Sequence, residues 1–342
     1  MAPFTAQSID TTDVTSYFSS LPVKSCQLDA QVTIDEALRS TIQSCTVPNA
    51  RERKKAEYRH NNPAGNIFGL CLPMSEKERL KYAVQFIEFL CIVDGKYLVV
   101  ISIELSVDPL ALDTMEDLPL GEACIEHAIL RQALYKKYDE NEYAGQLVGG
   151  MTMFLRNIRL ELADQNDPES LALLAALDSS LHHRNSVEGK FETLESYIPY
   201  RKTTSDYNFV CNLIRWTMKI PLQLGEKEEL LARKHEHVVG VIASLTNDYF
   251  SWQMERQPST DRVRNAVPIL MKEHNLSDEK ARTLLKGIIV NEEEKMRKFN
   301  VEIDTRKDIS EDLKNYTNAL GLFAAGYSFC RPQTEEDFAT PN

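Results

Sequence analysis

The chain has 342 residues, with 51 acidic against 39 basic side chains and a formal net charge of -12. That acidic balance argues against a broad nucleic-acid surface, because phosphate binding needs clustered Lys and Arg whose attraction is not cancelled by neighbouring carboxylates. With 43% hydrophobic and 26% charged residues the composition is globular, and the modest 13 Gly and 14 Pro fit long helices better than a turn-rich all-β chain.

The first residues, MAPFTAQSIDTTD, lack the basic and apolar regions of a signal peptide. No apolar run approaches the roughly 18 residues that span a bilayer, so a cytoplasmic protein without a membrane partner is expected. Residues 1–29 read as irregular, and a helix is expected over 33–45. Residues 51–66 are charged and broken by Pro and Gly. Over 75–93, Ser75 and Glu78 form a capping-box pattern and Leu80, Val84, Ile87 and Leu90 recur at helical spacing. This helix ends at Asp94. Further helices are expected over 120–137, 141–163, 168–181, 205–219, 227–256, 261–273, 277–298 and 307–328. Residues 332–342 read as a frayed tail, and the whole of 1–342 as one all-α domain. The seven Cys are an odd number, scattered and without any CxxC pair, which opposes a disulfide framework or a Cys-rich zinc site. Cys211 and Cys330 read as buried, inert thiols.

The long helix over 227–256 carries the most informative pattern. Asn247, Ser251 and Glu255 stand at i, i+4 and i+8, so a helix brings an amide oxygen, a hydroxyl and a carboxylate onto one face. Such a row suits a hard cation such as Mg²⁺, which takes oxygen ligands and shares its sphere with water and substrate phosphate. The competing reading is a polar stripe on a solvated helix. His235-Glu236-His237 is less promising, because i and i+2 diverge around a helix, and is read as a solvated face. His182-His183 reads as a loop. No Gly-rich phosphate loop and no G-x-S-x-G elbow is present.

In an all-α chain of this size the Asn247, Ser251, Glu255 triad resembles the NSE motif of class I terpene synthases, notably the single-domain fungal sesquiterpene synthases and the cyclase domain of chimeric fungal diterpene synthases. The resemblance implies a helical barrel or bundle around a central active-site cavity. It also implies an Asp-rich motif, D-D-x-x-D/E, at the end of an upstream helix. Here that motif is interrupted: after Asp94 the chain reads GKYLVVISIELSVDPLAL before Asp113-Thr114-Met115-Glu116. Removing 95–112 restores D-D-x-x-E as Asp94, Asp113 and Glu116. Those eighteen residues are the most strand-like in the chain, and Gly95-Lys96-Tyr97 is what a common splice-donor sequence encodes. They are read as a retained intron, or else as a genuine insertion.

Three further segments match. Arg201 lies 46 positions before Asn247, where the family places its pyrophosphate-sensor arginine, and Arg331 falls 84 positions after Asn247, where its Arg-Tyr pair belongs. Residues 65–73 followed by Glu78-Arg79-Leu80 are similar to the entry into the Asp-rich helix. The departures are Thr204 and Ser205 in place of a linker Asp and an effector Gly, Met254 in place of a Lys, and Pro332 in place of the Tyr.

The resemblance implies a lyase that ionises a prenyl diphosphate. Asp94, Asp113 and Glu116 would hold Mg²⁺ opposite Asn247, Ser251 and Glu255, with three ions in all once diphosphate is bound. Arg201 and Arg331 would hold the diphosphate, and Asn247 would also face the substrate. Phe68, Phe86 and Trp252 are candidates for an apolar cavity lining, with ordinary core as the alternative for each. Farnesyl diphosphate is favoured over geranylgeranyl diphosphate because no second domain follows before Asn342, and a monomer or homodimer is expected. A chain-elongating prenyltransferase would need a second Asp-rich motif where Asn247 to Glu255 stand. The remaining alternative is an impaired or non-catalytic relative, its Asp-rich site split by 95–112.

Overall fold

The computed structural model describes residues 6–11, 17–26, 28–46, 53–54, 56–57, 66–94, 120–135, 149–163, 167–184, 190–221, 224–255 and 264–330. Among them the fold is all-α, as the sequence predicts. Helices α1 (Leu28–Cys45), α2 (Ile67–Cys71), α3 (Lys77–Asp94), α4 (Leu120–Gln132), α5 (Gly149–Ala163) and α6 (Pro168–His183) make the first half. The second half comprises α7 (Leu194–Thr204), α8 (Tyr207–Thr217), α9 (Glu226–Glu255), α10 (Ala266–His274), α11 (Asp278–Thr305) and α12 (Glu311–Cys330). Two short strands, β1 (Gln7–Ser8) and β2 (Lys24–Ser25), pair antiparallel within the segment read as irregular.

The expected helices recur with shifted ends. Helix α1 starts at Leu28 rather than at 33, and α11 runs on past 298 because Met296 and Ile303, seven residues apart, are both buried on its inner face. Helix α3 is entered through Glu76, whose carbonyl accepts from Arg79 and Leu80, while the Ser75 N–H turns back to the Leu72 carbonyl. The predicted entry at Ser75 is therefore one residue early. His182 and His183 belong to the last turn of α6, not to a loop. Helix α7 was not predicted at all, since Pro199 lies inside it and removes one backbone donor. A reciprocal Thr193–Ser196 capping box starts it, and Glu273 of α10 accepts from the Leu194 N–H at 2.8 Å.

Packing runs as a ring of neighbours. Helix α1 lies on α3 and α5, α6 on α4, α5 and α8, and α9 on α7, α8, α10, α11 and α12. Arg79 joins three elements: it pairs with Asp167 and Glu169 at the start of α6, donates to the Trp216 carbonyl at 2.6 Å, and lies 4.7 Å from the Trp216 ring centre. Helix α12 is buried on all sides over 319–330, so its residues there are apolar or small all round.

Gly326 shows how close that helix comes to its neighbour: a Cβ there would stand 2.3 Å from the Leu70 carbonyl oxygen of α2. Backbone cannot give way as a flexible side chain does. Gly326→Ala is expected to destabilise the protein by about 1–3 kcal/mol, read as a lower urea midpoint.

The His235-Glu236-His237 triplet diverges as its spacing predicts: His237 is exposed and Glu236 half-buried, but His235 departs from the solvated face expected of it. His235 is 0% exposed, bonds Asn300 of α11 through Nε2 and packs on Phe299. Glu236 accepts from Tyr316 and Arg215, and His237 Nδ1 meets Lys202 Nζ at 2.8 Å. Burial lowers the His235 pKa from 6.5 to about 4. The unfolded chain therefore binds the extra proton between those values. The stability that neutral His235 confers is complete above pH 6.5 and is lost as pH falls toward 4, by about 3 kcal/mol. His235→Gln should flatten the fall in unfolding free energy across that window in urea titrations.

Candidate functional site

Arg201 is carried on the last turn of α7 and reaches α9. Its Nε donates to Asp248 Oδ1 at 2.8 Å and a terminal nitrogen donates to Asn247 Oδ1 at 2.7 Å. The Asn247 amide nitrogen in turn donates to the Tyr327 hydroxyl of α12 at 3.1 Å, which fixes which way the amide faces. Two of the residues singled out from the sequence, Arg201 and Asn247, are thus in direct contact.

Asp248 is the centre of this arrangement, at 0% exposure. Besides Arg201 it accepts from the Tyr197 hydroxyl at 2.8 Å and from the Ala266 N–H at 2.9 Å. Burial pushes its carboxyl pKa up, while the Arg201 charge draws it down. Burial also opposes the Arg201 charge, but Asp248, Tyr197 and Glu255 together outweigh that and hold the guanidinium pKa well above its ordinary value. Arg201 is therefore a permanent cation with one of its edges turned to Asn247.

One turn and two turns along α9 from Asn247 stand Ser251 and Glu255, bridged by a single side chain. Asn265, the N-cap of α10, donates to Glu255 Oε2 at 2.9 Å and to Ser251 Oγ at 3.4 Å. The row predicted from the i, i+4, i+8 spacing is thus held together from the α10 side. No cluster of three His, Cys, Asp or Glu side chains suited to a metal forms among the described residues. An amide oxygen, a hydroxyl and a carboxylate are hard ligands that fit Mg²⁺.

Helix α3 ends at Asp94, in keeping with the sequence, but the Asp94 side chain, Asp113, Glu116, Arg331 and the whole of 95–112 lie outside the described residues. Phe68 and Phe86 are buried in the core, and Phe86 meets Phe209 of α8 edge to face at 5.7 Å. Trp252 donates to Asp278 at the start of α11, one residue round the helix from Ser251. Thr204 and Ser205 bond to carbonyls of their own helix, and Ser205 also meets Ser244 of α9 at 3.0 Å. Asp206 follows with φ 56, and its carboxylate is bonded by Arg184 and Ser180 at the α6 end. A separate cleft of about 520 Å³, lined by Lys202, Glu236 and His237, contains none of the candidate site residues.

Sequence reasoning missed Asp248, Tyr197, Asn265 and Tyr327. A carboxylate just after the largely apolar stretch 238–246 of α9 was a readable signal for Asp248, whereas the other three enter from α7, α10 and α12.

Residues 132–295 match the family model described as terpene synthase family 2, C-terminal metal binding. Arg201, Asn247, Ser251, Glu255 and Asn265 all fall within that span. Over that span the chain is similar to the terpene synthases. It is 34% identical over 163 residues to ophiobolin F synthase of Aspergillus clavatus, covering 47% of this chain and 22% of that one. It is 28% identical over 187 residues to a bifunctional sesterterpene synthase of Talaromyces wortmannii, covering 52% of this chain and 24% of the other. A bifunctional terpene synthase of Fusarium proliferatum matches at 24% over 326 residues, which is 91% of this chain and 39% of the relative. The chain thus spans well under half the length of these curated relatives. Aristolochene synthase from Penicillium roqueforti shares the fold, with a TM-score of 0.69 at 14% identity over 92% of this chain and 98% of that structure. No helix among the described residues is long and apolar enough to cross a membrane.

Removing the Asp248 charge tests the buried contact directly. Asp248→Asn leaves Arg201 without a counter-charge and should cost about 3–5 kcal/mol in urea unfolding. Arg201→Met added to it should restore part of the loss.

Proposed function

We propose that the protein is a Mg²⁺-dependent terpene cyclase that ionises a prenyl diphosphate, farnesyl diphosphate being favoured, and closes the resulting cation to a cyclic sesquiterpene. The observation that carries this reading is the contact of Arg201 with Asn247 at the head of the Asn247, Ser251, Glu255 row. A guanidinium and a set of hard oxygen donors then converge on one place, which is what a diphosphate and its cations require. Relationship to the terpene synthases supports it.

In this reading Asn247, Ser251 and Glu255 would hold Mg²⁺ together with Asp94, Asp113 and Glu116, three ions in all once diphosphate is bound. Bound Mg²⁺ neutralises charge that develops on the departing diphosphate. Arg201 contributes a fixed positive charge to the same oxygens, and its bond to Asp248 keeps its plane oriented before substrate arrives. Arg331 is proposed as the second diphosphate ligand. Once the C–O bond breaks, the allylic cation must be kept from water, so apolar and aromatic side chains, with Phe68, Phe86 and Trp252 as candidates, would line the cavity. We take 1–342 to act as one cyclase domain in the cytoplasm, as a monomer or homodimer.

A longer prenyl diphosphate is the second reading, favoured by the sesterterpene synthases among the relatives. Incubation with farnesyl, geranylgeranyl or a longer prenyl diphosphate, followed by gas chromatography with mass detection, separates the two. A cyclic hydrocarbon formed only with Mg²⁺ is expected, reduced at least 100-fold by Arg201→Gln. The chain lacking 95–112 should be the more active if that segment splits the Asp-rich motif. No hydrocarbon from either folded form would overturn the proposal.

A further inference from the structure

We infer that Asn265 is a positioning residue of the cation site, holding Ser251 and Glu255 in the geometry that receives the metal. The inference rests on reading Ser251 and Glu255 as metal ligands. Asn265 is 3% exposed, and both ends of its amide are committed. Its oxygen accepts from the Val267 N–H at 2.8 Å, which caps α10. Its two N–H groups donate to the Asp248 carbonyl at 2.9 Å and to Glu255 Oε2 at 2.9 Å, and one of them is shared with Ser251 Oγ at 3.4 Å. A cap needs only the oxygen. The nitrogen is therefore free to act on α9, and both side chains it touches there belong to the candidate ligand row.

An N–H on one carboxylate oxygen fixes the rotation of the carboxylate, and so sets the direction in which its second oxygen points. Supporting bonds of this kind orient metal ligands and commonly change metal affinity by 10- to 100-fold. The placement of Asn265 is itself secured twice, because the next residue, Ala266, donates its N–H to the same Asp248 that binds Arg201. One dipeptide thus joins the diphosphate-binding arginine to the two distal oxygen ligands. Neutral amide is the fitting group: it donates to Glu255 without adding a positive charge that would compete with the cation.

Asn265→Ser separates the two tasks of this residue, since Ser caps a helix as Asn does but is too short to reach Glu255 and carries no amide. The probe is Mn²⁺ binding by electron paramagnetic resonance in the presence of inorganic diphosphate, with the melting temperature measured alongside. Asn265→Ser should melt within a few degrees of the parent and bind Mn²⁺ 10- to 100-fold more weakly. In turnover, the Mg²⁺ concentration at half-maximal rate should rise by a similar factor while the rate at saturating Mg²⁺ changes little. Asn265→Thr, another good cap, provides the same comparison if the Ser variant does not fold. Mn²⁺ binding equal to the parent in a folded capping variant would overturn the inference and leave the proposed function intact. A parent protein that binds no Mn²⁺ would instead remove the metal-site reading on which it stands.

Discussion

A guanidinium and a carboxylate, both nearly out of reach of water, join α7, α9 and α10. Moving two such charges from water into a helical interior is costly, and attraction between them compensates only when the remaining polar atoms are also satisfied. Here they are: Asp248 Oδ1 accepts from Arg201, and Oδ2 accepts from both Tyr197 and Ala266. Helix α7 depends on this arrangement more than its own sequence would suggest. It is eleven residues long with a proline inside, too short and too interrupted to persist alone. Glu273 of α10 holds its first turn and Asp248 of α9 its last, so the arginine is delivered by a helix whose position is imposed by its neighbours.

Much of this was legible from the sequence and the rest was not, for identifiable reasons. The Asn247, Ser251, Glu255 row could be read because it needs one uninterrupted helix and nothing else. Arg201 could be read only through the family resemblance, and the helix that carries it could not be read, since Pro199 argues against one and the Thr193–Ser196 box that starts it lacks the more usual Glu or Gln. The partners that make the row specific, Tyr197, Asn265 and Tyr327, come from three other helices, and no periodicity within α9 points to them. The triplet at 235–237 illustrates the converse limit: spacing correctly separates its side chains, but only the surrounding helices decide that His235 is buried against Asn300 rather than exposed.

Helix α9 is in contact with neighbours along most of its thirty residues, and each stretch has its own obligation: Glu236 to α8 and α12, His235 to α11, His237 to α7, Asp248 to α7 and α10, Glu255 to the cap of α10. An α-helix turns about 100° per residue, so these obligations share a single angular setting. Adding or removing one residue within α9 would rotate everything beyond that point and leave Arg201 facing an apolar flank while a carboxylate met hydrocarbon. Length variation in such a protein is therefore confined to the segments between helices. Such a protein can tolerate substitution around α9 and insertion between its helices, but the helix that carries Asn247 must be inherited at constant phase.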